Sequence, residues 1–376
     1  MLNVFEVADS LVKHIQSNYP DEIAIIAYYG SYAQGTATAR SDLDFFFIPA
    51  SAAAYRHSLQ FIVNDICFDF WPISWERAER MAAFEELNVS IIADCKLLYV
   101  RSEEDLNRFM ELREQINAAA SKGMEFIKKA EEQLRDASAH LCAIAISGSR
   151  HANQLTLFRL EAREFLVHIL NSVSLLNRTY FTKGWGKNAE QISALIHKPD
   201  QLEALMQTIM QSGSCTEIRE SCDQLFQNAI RLLTQQKELY NVGPKYTDRM
   251  KGFYEEIKGN FDKILTACEK NDYSSAYFWG IGVQGEIARA LFYAEKGYWP
   301  ASSDTALGVM ELYTRLGFPD LSAILNYNNL QPLFEAVERL DILLEKHLKI
   351  QGVVINRFAD INDFKLHLNR SCDEYK

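Results

Sequence analysis

Residues 23–49 read IAIIAYYGSYAQGTATARSDLDFFFIP, and their order decides the fold. The apolar run from Ile23 to Tyr29 predicts a strand, Gly30-Ser31 a turn into a short helix, and Asp42-Leu43-Asp44 the start of a second strand. Side chains alternate across a strand, so Asp42 and Asp44 point to one face, where they can share divalent ions. Ser31 falls at the N-terminus of the connecting helix, where unpaired backbone N–H groups and the dipole favour phosphate. A phosphate site followed closely by a carboxylate pair points to triphosphate chemistry.

The run GSYAQGTATARSDLD resembles the signature of the DNA polymerase β-like nucleotidyltransferase superfamily, in which Gly-Ser precedes Asp-x-Asp/Glu by about ten residues. The small antibiotic nucleotidyltransferases share it. Gly35, Thr36, Ala37 and Ser41 also fit, and the resemblance extends from Ile23 to Ser74; beyond that the likeness is architectural. It implies a third carboxylate on a neighbouring strand. HSLQFIVNDICFDFWPIS, residues 57–74, reads as a hairpin turning at Asn64-Asp65, with a second strand from Ile66 to Ile73. Asp69 lies mid-strand between Phe68 and Phe70, where an ionised carboxylate is costly unless paired or metal-bound, and is the expected third carboxylate. Asp65 is the alternative, although its type suits the turn.

The roles implied by the resemblance are specific. Asp42 and Asp44 hold Mg²⁺, a hard cation that takes carboxylate and phosphate oxygens. Asp69 bridges to a second metal or takes the acceptor proton as general base. Gly30 lets the backbone approach the triphosphate of ATP (or another NTP), and Ser31 donates to it. LNRTYFTKGWGKNAE, residues 176–190, is similar to a region of several antibiotic nucleotidyltransferases where a helix end and a following Lys approach the nucleotide phosphates. Carried over, Lys187 is the candidate, with Lys183 and Arg178 behind it and Arg40 beside the Asp pair as a further phosphate contact. The plainer account of these cations is a basic turn and a loop Arg in water.

The 376 residues suffice for two or three domains with large cores, and the net charge of −11 disfavours a nucleic-acid partner, whose footprint is a basic face. An acidic surface suits a cationic acceptor. The seven cysteines are scattered, without metal-ligand spacing, which predicts free thiols in a reducing compartment. The start lacks a signal-peptide pattern and no apolar stretch has the length of a membrane span, so the expected location is cytoplasmic, with no membrane partner.

The fold class expected is α+β. An N-terminal nucleotidyltransferase fold, a mixed β-sheet flanked by helices, occupies residues 1–102, and a large all-α helical-bundle region follows. Within it, residues 103–240 cover acceptor and nucleotide, 245–350 form a second helical layer after the break at Asn241-Val242-Gly243-Pro244, and 351–376 form a polar tail. Further breaks are expected at Tyr298-Trp299-Pro300 and Gly317-Phe318-Pro319.

Two features compete for attention. Gly148-Ser149 repeats the Gly-Ser pair with no Asp-x-Asp behind it and reads as a helix break. Arg163 and His168 have the Arg-x4-His spacing of HEPN ribonucleases, but a helix-face Arg and a partly buried His explain them more simply. The aromatic residues Tyr273, Tyr277, Phe278, Trp279, Phe292, Tyr293, Tyr298 and Trp299 read mostly as core, with a flat wall stacking on a nucleobase or sugar ring as the alternative for a minority. The function expected is transfer of a nucleoside monophosphate, AMP from ATP, to a hydroxyl of a small molecule such as an aminoglycoside or lincosamide. The alternatives are a toxin–antitoxin-type enzyme nucleotidylating a protein or RNA end, and a non-catalytic nucleotide-binding regulator.

Overall fold

The computed structural model describes residues 3–121, 123–146, 154–240, 243–300 and 308–373; Gly148-Ser149 and Asn241-Val242 lie outside the described residues. Contacts divide the chain into two units, Met1–Gln236 and Lys237–Lys376.

In the first unit α1 (Val4–Asn18) begins at Asn3, whose side chain accepts from Phe5 N. Then come β1 (Ile23–Tyr28), α2 (Gly30–Ala33), β2 (Leu43–Pro49), β3 (Leu59–Val63) and β4 (Ile66–Pro72). Two short helices, α3 (Trp75–Ala82) and α4 (Val89–Ala93), lead to β5 (Lys96–Val100). The five strands form one mixed sheet in the order β3-β4-β2-β1-β5. Only β2 and β4, among the pairings of this sheet, run parallel. β1 is buried along nearly its whole length, as a central strand covered on both faces must be.

Alternation along β2 and β4 sets the faces. Leu43, Phe45, Phe47, Phe68 and Phe70 share a core with Val4, Ala8 and Ile15 of α1. Each such side chain contributes roughly 1.5–3 kcal/mol on burial. The register pairs Leu43 with Phe68, Asp44 with Asp69 and Phe45 with Phe70. A one-residue slip would turn the aspartates into this core, so the aromatic pairs fix where the carboxylates stand. The hairpin forms as expected: Val63 pairs with Ile66 around Asn64 and Asp65, both with positive φ.

The helical part of this unit comprises α5 (Glu103–Asn117), α6 (Gly123–Ile146), α7 (Gln154–Leu176), α8 (Ala189–Ala194), α9 (Leu202–Gln211) and α10 (Cys215–Leu239). α6 and α7 pack along one another. The segment between α7 and α8 carries Lys183 and Lys187.

The second unit holds α11 (Tyr246–Arg249), α12 (Phe253–Glu269), α13 (Tyr273–Lys296), α14 (Val309–Arg315), α15 (Leu321–Ile324), α16 (Gln331–Ile350) and α17 (Ile361–Asp373). Its core joins Phe261 and Ile264 of α12, Ile287 and Leu291 of α13, and Leu340 and Leu344 of α16. Gly297 and Gly317, both with positive φ, sit at the expected breaks. The aromatic residues divide, with fewer in the core than expected: Phe292 is buried, whereas Tyr277, Phe278, Trp279 and Trp299 are exposed. Four consecutive aromatic or apolar positions cannot all face one side of a helix. Among the described residues no helix is long and apolar enough to cross a membrane.

Candidate active site

Gly30 opens α2 with φ of +72°, a backbone that other residues resist. A Cβ there would also fall inside the space of the Asp44 carboxylate. The turn is thus pressed against β2, and Tyr29 N donates to Asp44 O at 2.9 Å. Ser31 follows in the first turn of the helix, and its carbonyl accepts from Thr36 N at 2.9 Å.

Asp44 and Asp69 are lateral neighbours on parallel strands, on the face opposite α1. Asp42 precedes β2 in the same alternation. Burial, then the charges of Asp42 and Asp69, push the Asp44 carboxyl up to about 6. Burial and Asp44 likewise push the Tyr29 hydroxyl up to about 12, while Trp71 Nε1 donates to it at 3.1 Å. Asp69 is exposed, and its Oδ1 accepts from Gln60 Nε2 at 2.7 Å. The expectation that its aromatic neighbours crowd it needs correcting: Phe68 and Phe70 turn into the core and Asp69 turns away from them. What singles Asp69 out is its place beside Asp44.

Among the described residues no three His, Cys, Asp or Glu side chains are gathered closely enough to hold a metal ion as they stand. The chemistry of the three aspartates nevertheless fits a hard divalent cation. All donors are carboxylate oxygens, and Asp44 carries an electrostatic penalty from the other two that a cation would relieve.

A cavity of about 1060 Å³ opens beside Asp44. Gly30, Ser31 and Asp44 line it from the sheet side, Lys183 and Lys187 from the segment after α7. Asp42 and Asp69 adjoin Asp44 without lining the cavity, and Arg40 stands on the exposed loop before β2, also off its wall. Lys183 Nζ lies 4.0 Å from Glu190 Oε2.

Several residues around this cavity escaped the sequence reading. Gln34, the residue after α2, donates to Thr182 O, tying the lysine-bearing segment to the Gly-Ser turn. Gln191 holds the same segment, donating to Tyr180 O at 2.6 Å and accepting from Thr182 N at 3.1 Å. Tyr180 in turn donates to Asp94 Oδ1 at 3.1 Å. Asn177 is fully engaged as a brace, donating to Val173 O and His197 O and accepting from Ile196 N and His197 N. One signal was present: Asn171, Ser172 and Ser174 interrupt the apolar last turns of α7 and are all buried.

Arg163 is exposed and paired with Glu164, while His168 bonds Gln133 at 3.0 Å and stacks on His140, so α7 does not bring the two together.

Residues 106–238 match the family model described as the KNTase C-terminal domain, the kanamycin nucleotidyltransferase-like helical domain. This match supports the nucleotidyltransferase superfamily. It falls on the helices and is therefore independent of the Gly-Ser and Asp-x-Asp residues, which lie before it in the chain. The solved structure of a nucleotidyltransferase-like protein from Exiguobacterium sibiricum 255-15 aligns over 91% of this chain and 92% of its own, at 10% identity and a TM-score of 0.36, a likeness too loose to carry an argument. No curated protein matches the chain significantly in sequence.

Proposed function

We propose that this protein transfers a nucleoside monophosphate, AMP from ATP, to a hydroxyl of a small molecule and releases pyrophosphate. The observation that carries the reading is the lateral pairing of Asp44 with Asp69 beside the Gly30-Ser31 turn, at a cavity whose far wall bears Lys183 and Lys187. Nucleotidyl transfer in general is also what the superfamily match supports.

Asp42, Asp44 and Asp69 would hold Mg²⁺, which supplies charge neutralisation at the phosphates and alignment of the acceptor oxygen. Gly30 admits the phosphates close to the backbone, and the Ser31 hydroxyl and N–H donate to them. Lys183 and Lys187 bring positive charge to the triphosphate from the helical side, with Arg40 at its solvent edge. Little covalent chemistry falls to these residues; positioning and charge do the work, as in phosphoryl transfer generally. The division at 102 and 240 then separates a chemical half from a half that covers nucleotide and acceptor. The acidic net charge of −11 favours a cationic acceptor, for which aminoglycosides are the class we name first and lincosamides the second.

The test is ATP turnover with Mg²⁺ against a pool of aminoglycosides and lincosamides, following pyrophosphate and acceptor mass for wild type and Asp44→Ala. An acceptor heavier by one AMP, absent with the variant, supports the reading. Silence with intact Mg²⁺-dependent ATP binding turns the search to protein or RNA ends, and loss of all metal-dependent binding to a non-catalytic regulator.

A further inference from the structure

Asp94 follows α4 and leads into β5, on the other side of β1 from Asp44. Tyr28 pairs with Phe45 of β2 on one side and Lys96 of β5 on the other. Asp44 and Asp94 therefore flank the same end of β1, two strand spacings apart, or about 10 Å. Both line the cavity. A gap of that order leaves room between the two carboxylates for a phosphoryl group and the hydroxyl that attacks it.

Asp94 is only half provided for. Tyr180 donates to its Oδ1, whereas Oδ2 is buried with no hydrogen-bond partner among the described residues. The nearby Arg113 directs Nε to Ile92 O, at 3.1 Å, and Nη2 to Cys95 O, at 2.5 Å. Buried carboxylate oxygens are mostly hydrogen-bonded, so the unmatched Oδ2 calls for a partner. The torsion that swings an aspartate's oxygens is soft, so a small rotation presents Oδ2 to the cavity. A second group on the wall is in the same condition: Asn171, 4% exposed, has an Nδ2 without a hydrogen-bond partner among the described residues. Both residues line the cavity, and a turn of each side chain would bring an unmatched acceptor and an unmatched donor to a ligand that offers a hydroxyl and a further oxygen. Asp69 is worse suited to that task, being exposed, engaged by Gln60 and off the cavity wall.

Resting on the nucleotidyl-transfer reading, we infer that Asp94 is the base that receives the acceptor hydroxyl, and that Asn171 orients the acceptor beside it. The acceptor oxygen bonds to the α-phosphorus of the nucleoside triphosphate as the bond from that phosphorus to pyrophosphate breaks. The hydroxyl proton passes to Asp94 Oδ2 and leaves to water after the product departs. Burial raises the Asp94 carboxyl above the usual range, while the Tyr180 hydrogen bond and the charges of Arg113 and Lys96 oppose that rise. A carboxylate raised in this way is a better proton acceptor than a free one.

The experiment uses the full chain, Mg²⁺-ATP and the pool of aminoglycosides and lincosamides, comparing wild type with Asp94→Asn, Asn171→Ala and Tyr180→Phe. Asp94→Asn should lower kcat by about 100-fold or more while Mg²⁺-ATP binding stays within about twofold. Asn171→Ala should raise the acceptor KM and spare the KM for ATP. Tyr180→Phe removes a donor to the ionised carboxylate, so the acid limb of the rate profile should move to higher pH. Near-normal turnover by Asp94→Asn, its loss of ATP binding together with turnover, or an unmoved limb in Tyr180→Phe each overturns the assignment. A wild type inactive on the whole pool removes the parent reading and this one with it, whereas an active wild type with an active Asp94→Asn removes this one alone.

Discussion

Gly30 and Asp44 occupy the same space: the one lacks a side chain where the other places its carboxylate. Two constraints fall on this position, since φ is also +72°. Alanine there pays roughly 1–2 kcal/mol for the left-handed backbone before any clash is counted. Gly30→Ala should lower Tm by about 3–8 °C and cut ATP turnover on the order of a hundredfold through displacement of Asp44. Thermal melting and turnover measured together check this, and a variant with wild-type values in both would show that the turn tolerates a side chain.

The pairing of Asp44 with Asp69 sets stability against binding. Asp69 is one of the like charges that hold the Asp44 carboxyl high, so its neutralisation relaxes the site. Metal-free Asp69→Asn should therefore melt at or above the metal-free wild type at pH 7. Mg²⁺ should raise the Tm of the wild type and do so much less for the variant, because one oxygen donor has lost its charge. Melting curves with EDTA and with Mg²⁺ decide it. An equal Mg²⁺ shift in both proteins removes Asp69 from the metal set.

What could be read beforehand was local. The Gly30 turn, the Asp42-Leu43-Asp44 strand and the Asn64-Asp65 hairpin follow from period-two alternation and turn chemistry within about fifty residues. The aromatic neighbours of Asp69 say nothing of its surroundings, since sequence neighbours in a strand face opposite ways and the neighbour beside it, Asp44, lies on another strand. Asp94, Tyr180, Gln34 and Thr182 meet across 86 and 148 positions of chain, and no local pattern announces such contacts. Lys183 and Lys187 were reachable only through a resemblance. The exposed aromatic residues of α13 show the converse failure, where composition suggested core and the helix simply ran out of inward-facing positions.

His168 gives a pH dependence separate from the site. Burial lowers its pKa below 6.5, while Asp136 and Glu164 oppose and His140 adds to the lowering. The unfolded chain then binds more protons than the folded one as pH drops below the ordinary histidine value, so this group's contribution is present above that value and lost as pH falls through its folded pKa. His168→Gln should flatten the stability curve between pH 7 and pH 5 relative to wild type. Chemical denaturation across that range checks the difference. A parallel pair of curves would remove His168 as a source of the pH dependence.

The two lysines and Arg40 make the sharpest comparison, because they were proposed for the same phosphates from different places. Lys183 and Lys187 line the cavity that Gly30, Ser31 and Asp44 also line, whereas Arg40 stands off its wall. Charge on the cavity wall acts on the phosphates at short range; charge held farther off than about 10 Å is largely screened by salt. Lys183→Ala with Lys187→Ala should weaken Mg²⁺-ATP binding by about tenfold or more and blunt its dependence on the triphosphate, so that ATP and AMP bind more alike. Arg40→Ala should cost less, and its effect should vanish at high salt. Calorimetric titrations with ATP and AMP at two ionic strengths separate these outcomes. If Arg40→Ala proves the more damaging at both, the triphosphate lies along the loop before β2 and the lysine-bearing segment serves the acceptor instead.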